Sequence, residues 1–226
     1  MGLAPYKPTW DYQQQLCDQL IARKMQMRGG VEMPAPLHHL IMCSHPPVFT
    51  LGKSGSAENL LVSLTELSNK GMEYYHINRG GDITYHGPGQ LVMYPIFDLE
   101  YFFTDIHKFL RLLEEAVIAT LADFGLKGGR YPGYTGVWLE PEHPEKARKI
   151  CAMGIRCSRW VTMHGIAFNI NNDLSPFEMI VPCGIKDKDV TSLKRELGTE
   201  VEMNEVMRLL AKHMAHIFDF EYENPD

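Results

Sequence analysis

Arg79-Gly80-Gly81-Asp82-Ile83-Thr84-Tyr85-His86-Gly87-Pro88-Gly89-Gln90 stands between two apolar segments, Tyr74 to Ile77 and Leu91 to Phe97. The aromatic and β-branched residues of those flanks predict strands. Between them, four glycines and a proline describe a chain that turns sharply and lets something approach its backbone closely. Arg79 and His86 are the side chains there suited to polar work. A lone Gly-Gly would read as a hairpin turn; twelve residues of this composition read as a binding loop.

Outward from this loop, the pattern alternates short strands with a few helices. A helix is predicted from about Trp10 to Met27, with Tyr12, Leu16, Leu20 and Met27 near one face and Gly29-Gly30 at its end. Leu37 to Met42 and Val48 to Leu51 read as strands around Pro46-Pro47. The clearest helix covers about Asp105 to Phe124, where Ile106, Phe109, Leu113, Val117, Leu121 and Phe124 recur every three or four residues. Thr104 is its expected cap and Gly125 its left-handed stop. Thr135 to Leu139, Lys149 to Ile155 and Val161 to Ile170 read as strands, with a solvated loop over Glu140 to Arg148. Ser175-Pro176-Phe177-Glu178 has the form of a capping box with proline at the first helical position. A last helix is predicted from about Asn204 to Phe218, with Val206, Leu209, Leu210 and Ile217 inward. No repeat, low-complexity tract or linker divides the chain. Residues 1–226 therefore read as one α+β domain with a mixed, largely antiparallel sheet flanked by helices.

Composition narrows the function classes. With 226 residues, 45% apolar and 22% charged, the chain is an ordinary globular one. A net charge of −6 argues against a nucleic-acid-binding surface. No apolar run approaches the roughly 20 residues needed to span a bilayer. The start, Met1-Gly2-Leu3-Ala4-Pro5-Tyr6, lacks the order of a signal peptide and the Ser or Thr of a myristoylation site, so a cytoplasmic location is expected. Five cysteines without a Cys-x-x-Cys pair make neither a disulfide framework nor a metal site. Cys17, Cys43, Cys151 and Cys157 lie in or beside apolar segments and read as buried thiols.

Cys183 differs, because Pro182 and Gly184 place it in a turn that presents a thiol. Lys149 opens an apolar strand, where a lysine ordinarily reaches out to solvent. Together the two have a chemical use. A free thiol is only about 3% thiolate at pH 7, and an ammonium nearby raises that fraction. Lowering the thiol pKa by about 1.5 units takes roughly 2 kcal/mol of differential interaction, within reach of one partly desolvated charge pair. The same lysine can then hand a proton to a leaving thiol and take one from an attacking amine. His164, mid-strand beside Gly165, reads either as a satisfied core imidazole or as a participant. His38, His39 and His45 read as packing or surface groups, with the pocket entrance as the alternative.

Four blocks taken together resemble the octanoyltransferases of lipoate biosynthesis. They are Arg79-Gly80-Gly81-x-x-Thr84-Tyr85-His86-Gly87-Pro88-Gly89-Gln90 with Tyr94-Pro95; Lys149-Ile150 with Gly154-Ile155-Arg156; His164-Gly165-Ile166-Ala167 with Asn169; and Pro182-Cys183-Gly184-Ile185 with Thr191-Ser192-Leu193. The blocks occur in the family's order over roughly residues 40 to 200. The resemblance implies the catalytic fold of biotin– and lipoate–protein ligases and a cysteine/lysine acyltransfer mechanism without a cofactor or metal. It implies Cys183 as the nucleophile and Lys149 as its acid/base. The acyl chain would be bound by Arg79, Gly80, Gly81, Asp82, Ile83, Thr84, Tyr85 and His86, by Ala152, Met153 and Gly154, and by Gly165, Ile166 and Ala167. The implied donor is octanoyl-acyl carrier protein. The implied acceptors are lipoyl domains of 2-oxoacid dehydrogenase complexes and the glycine cleavage H protein. Acidic carriers call for a basic docking surface, for which Arg79, Arg156, Arg159, Lys186 and Lys188 are the candidates. The competing readings are an ATP-dependent ligase, an amidotransferase between carrier domains, and an inactive carrier-binding module.

Overall fold

The computed structural model describes residues 2–181 and 189–223. Ten strands are described. In chain order they are β1 (His39–Cys43), β2 (Val48–Leu51), β3 (Glu73–His76), β4 (Ile83–His86), β5 (Gln90–Ile96), β6 (Gly128–Tyr131), β7 (Tyr134–Leu139), β8 (Arg148–Ser158), β9 (Val161–Asn169) and β10 (Asp189–Val190). The helices are α1 (Tyr6–Arg28), α2 (Leu64–Asn69), α3 (Ile106–Asp123), α4 (Leu193–Leu197) and α5 (Met203–Phe218). No described helix is long and apolar enough to cross a membrane.

One sheet runs β1-β5-β9-β8-β7-β6, with β10 added parallel to β8; a smaller one runs β3-β2-β4. Every pairing along the main path of the large sheet is antiparallel, so the expected α+β architecture is the observed one. Strand β5 is buried on both faces, which is why its sequence reads as a continuous apolar run. Its alternate residues still serve different layers. Leu91 and Met93 join the core beneath α3 and α5, while Val92, Tyr94 and Ile96 meet Leu16, Cys17 and Leu20 of α1. The small sheet has its own core of Phe49, Leu51, Ile83 and Tyr85 against Phe177 and Ile180.

Several expectations need correction. The glycine-rich segment is not irregular throughout: Ile83–His86 form β4 and pair with Val48–Leu51. Its flanking strands belong to different sheets, so no hairpin joins them. Helix α1 begins at Tyr6 and leaves Tyr12 exposed. The cap of α3 is Asp105, whose carboxylate accepts from the Lys108 N–H at 2.9 Å, rather than Thr104. Ser175 does not form a capping box. Its own N–H and hydroxyl donate to Asp173, and the segment Ser175–Met179 is a 3₁₀ turn. Within α5 the buried residues are Val206, Leu210, Met214 and Phe218, with Leu209 and Ile217 half-buried.

Candidate functional site

Glycines bring a loop and three strands closer than side chains would allow. A Cβ on Gly154 would lie 2.7 Å from the Gly80 carbonyl oxygen, and one on Gly165 would lie 2.0 Å from that of Met93. Gly80 donates its N–H to the Ile155 carbonyl at 2.8 Å, which ties the loop to β8. From the other side, Lys53 N–H bonds the Arg79 carbonyl at 2.9 Å and Gly52 N–H that of Asp82 at 3.2 Å. Asp82 is spent inside the loop, accepting from the Ile83 N–H and from the Asn59 amide.

Beneath this loop lies a slot of about 420 Å³. Arg79 to Thr84 and His86 wall one side; Ala152 to Gly154 and Gly165 to Ala167 wall the other. Tyr85 alone of the expected loop residues turns away, packing against Phe49 and Phe177, because alternate residues of β4 face opposite sides. Ile106 and Leu110 of α3 also line the slot, and nothing in their helical spacing distinguished them from core.

At the mouth stand Tyr134, Thr135, Lys149 and Val190. Lys149 pairs in register with Trp138 on one side and Val190 on the other. Its ammonium lies 4.8 Å from the centre of the Trp138 ring, instead of extending into solvent. Gly136, at φ +123°, makes room: a Cβ there would sit 2.5 Å from the Cys151 carbonyl oxygen and 3.5 Å from Lys149 Cε. The Gly136 N–H donates to Glu114 at 3.0 Å, and this fully buried carboxylate also accepts from Arg111 and Arg130.

Cys183, with Lys186 and Lys188, lies outside the described residues. The chain on its far side returns at β10, whose Val190 is the partner of Lys149. The other thiols are poor nucleophiles. Burial pushes Cys17 up to about 11 and Cys43 up to about 12, and raises Cys151 further despite nearby Lys149. Cys157, expected to be buried, is half-buried, and burial raises its pKa as well.

The lining of the slot is polar in part. Arg79, 8% exposed, donates to the Thr50 carbonyl at 2.6 Å and hydroxyl at 3.0 Å, so it is not part of an outward docking surface. Arg156 donates to Gln14 and Met163, while Arg159 is exposed on the β8–β9 turn. His86 Nδ1–H donates to Gln90 Oε1 at 2.8 Å; the Gln90 amide continues to Asn169, whose own amide reaches the Thr191 carbonyl. Burial, with His45 close by, pushes His86 down to about 3. Tyr6 of α1 stacks on His86, a residue no motif singled out. His45 is fully buried between the Ala4 carbonyl and the Tyr94 hydroxyl, away from any entrance, and His38 packs on Phe97 and Phe102. His164 is only partly satisfied: its Nε2 lies 2.8 Å from Asn78 Oδ1, while its buried Nδ1 has no partner among the described residues.

The family model of the lipoyl protein ligase A/B catalytic domain matches residues 5–215. An octanoyltransferase of Cytophaga hutchinsonii is 57% identical over 99% of this chain and 93% of its own length. One of Christiangramia forsetii is 57% identical over 98% and 94%. Among solved structures, a bipartite lipoate protein ligase of Thermoplasma acidophilum superposes with a TM-score of 0.72 at 18% identity, covering 99% of this chain and 85% of that one. Lipoate-protein ligase A bound with ATP gives 0.71 at 17% identity, over 93% and 81%. The structural likeness establishes the ligase-type fold, and the sequence relatives place the chain more finely: it belongs to the lipoyl protein ligase A/B catalytic-domain family, among its octanoyltransferases, and is an acyltransferase.

Proposed function

We propose that this enzyme takes an octanoyl group from octanoyl-acyl carrier protein and delivers it to a lysine of lipoyl domains in the cytoplasm, through a thioester on Cys183. The Cys183 thiolate attacks the donor carbonyl; a C–S bond forms, and the C–S bond to the carrier breaks. Lys149 gives the departing thiolate its proton. The acceptor lysine amine then attacks the acyl-enzyme, a C–N bond forms, Cys183 leaves as thiolate, and Lys149 takes up the amine proton. Supporting this reading is the placement of Lys149 at the mouth of a narrow slot walled by glycine, alanine and isoleucine, beside the strand that follows Cys183. A slot of small residues suits an apolar chain. An ATP-dependent ligase would need cations free to meet phosphates, whereas Arg79 is engaged with Thr50.

Intact mass spectrometry with octanoyl-acyl carrier protein tests the mechanism. An adduct of about 126 Da is expected on the wild type and on Cys151→Ala, and none on Cys183→Ala. Adduct formation without Cys183, or an absolute need for ATP, overturns it. Subsequent loss of the adduct to an added lipoyl domain tests the acceptor.

A further inference from the structure

His164 breaks the alternation of its strand. Along β9, Val161 and Met163 join the layer packed on α1, while Ile166 and Phe168 join the layer beneath α3 and α5. Alternation assigns His164 to the second layer, where its register partner Ile155 packs. The His164 ring instead lies beside Trp10 of α1, with ring centroids 6.4 Å apart. Its φ of +60° accounts for the turn. The setting is a lapse in the ladder to β5, which stops at Met93–Ile166 and resumes as a bridge at Asp98–Val161. Pro95 falls in that gap and has no N–H to give. Outside the ladder, the His164 N–H donates to Gln13 Oε1 at 2.9 Å. A left-handed conformation in a non-glycine residue is costly; it persists where packing imposes it and collects at functional positions.

The redirected ring reaches the roof of the slot. Its Nε2 lies 2.8 Å from Asn78 Oδ1. An amide oxygen only accepts, so Nε2 carries the proton and donates. Asn78 is exposed and directly precedes Arg79, the first residue of the roof. Gly80 N–H, just beyond, donates to the Ile155 carbonyl at 2.8 Å. The two bonds therefore fasten the start of the roof to one register pair, Ile155 and His164. Lys149 lies further along β8, which suits this pair to holding the roof rather than to touching the reacting carbonyl.

We propose that His164 is a positioning residue: its ring latches the roof through Asn78 and keeps the slot formed for the acyl chain. The inference rests on the acyl-transfer reading above. Gly80 and Gly81 give the roof more backbone freedom than other residues would. A roof fixed in advance spares the incoming chain the entropy of ordering it. Loss of the latch therefore weakens capture of the acyl chain and leaves the chemistry at Lys149 as it was.

The test uses Asn78→Ala, which removes the acceptor at an exposed position, and Asn78→Asp, which keeps one. In Asn78→Ala, amide exchange over residues 79–83 should quicken about tenfold, the equivalent of one hydrogen bond, with β9 unchanged. The KM for octanoyl-acyl carrier protein should rise about tenfold. The maximal acylation rate should stay within about threefold of wild type, and iodoacetamide alkylation of Cys183 should not change. Asn78→Asp should bring exchange and KM back to within about threefold of wild type. His164→Gly tolerates the positive φ and removes the ring. Where it folds, it should match Asn78→Ala, and the double variant should be no worse than either single change. Exchange and KM like wild type in Asn78→Ala overturn the inference, and so does a fall in maximal rate at unchanged KM. If the wild type fails to acylate Cys183, the acyl-transfer reading falls, and the exchange measurement alone decides whether His164 holds the roof.

Discussion

Lys149 holds its ammonium 4.8 Å from the centre of the Trp138 ring, its register partner across β7 and β8. A cation over an indole face is worth about 0.5 to 2 kcal/mol depending on desolvation. The contact restricts where the amine can go at the mouth of the slot. Trp138→Leu should therefore slow Cys183 acylation by roughly 3- to 30-fold through loss of that restraint. Stopped-flow or quenched mass measurements read this directly. A normal rate in a folded Trp138→Leu enzyme would show that the ring serves only the core.

Replacing Lys149 itself should be more severe. Lys149→Ala is expected to slow acylation by about 10² to 10⁴-fold, the range for a positioned acid/base. Lys149→Arg should also be poor, since guanidinium pairs with a thiolate but does not cycle a proton at working pH. Iodoacetamide alkylation of Cys183 against pH separates the two effects: Lys149→Ala should shift the profile to higher pH, and Lys149→Arg should not. Wild-type profiles and rates in both variants would make Lys149 structural.

Gly154 is where the roof of the slot touches its floor. An added Cβ would sit 2.7 Å from the Gly80 carbonyl and 3.2 Å from Arg79 Cδ. Overpacking of this kind costs about 1 to 3 kcal/mol. Gly154→Ala should lower the denaturant midpoint accordingly and reduce octanoyl transfer at least tenfold, because the loop must lift. Equal stability and activity would contradict the observed closeness of Gly80 and Gly154.

Glu114 supports the mouth from beneath. It is fully buried, while Arg111 and Arg130 are partly exposed, so solvent screening reduces the value of each ion pair. Glu114→Ala leaves the Gly136 N–H without its acceptor and two guanidinium groups without their common anion. A destabilisation of about 1 to 3 kcal/mol is expected from the buried hydrogen bonds. Chemical denaturation reads it, and Arg111→Ala should cost much less because that side chain is half in water.

Stability should fall as the solution is acidified below the ordinary histidine pKa. His86 and His164 are both pushed down to about 3, chiefly by burial. Between about pH 6.5 and 3 the unfolded chain binds protons that the folded state does not. Each histidine then subtracts up to about 1.4 kcal/mol per pH unit as pH falls, and its contribution is fully present above about pH 6.5. Urea midpoints at pH 7.5 and 5.5 measure the slope. His86→Gln should flatten it, whatever its effect at pH 7.5. A flat dependence in the wild type would place both rings in contact with water.

Much of this architecture is local and therefore legible in the chain. The stripe from Ile106 to Leu121 specified α3 because a 3.6-residue period serves one buried face, and β5, β7, β8 and β9 followed from their β-branched and aromatic runs. The glycine-rich segment stood out because close backbone approach restricts residue type at single positions, and Lys149 stood out as a charge opening an apolar strand. The motif pattern carried no information about which wall each residue joins. Tyr85 and His86 are neighbours in sequence, yet β4 sends one into the small-sheet core and the other to the slot. Cap choice was equally opaque, since Thr104 and Asp105 are both good caps and local chain direction selected Asp105. What only the tertiary structure decided are relationships across long sequence separations: Tyr6 stacked on His86, Gln13 bonded to His164, Trp138 beneath Lys149. Composition and period determine which surfaces must be buried. Which polar atoms meet there depends on how whole elements pack: the His164 N–H reaches Gln13 only because α1 lies against β9.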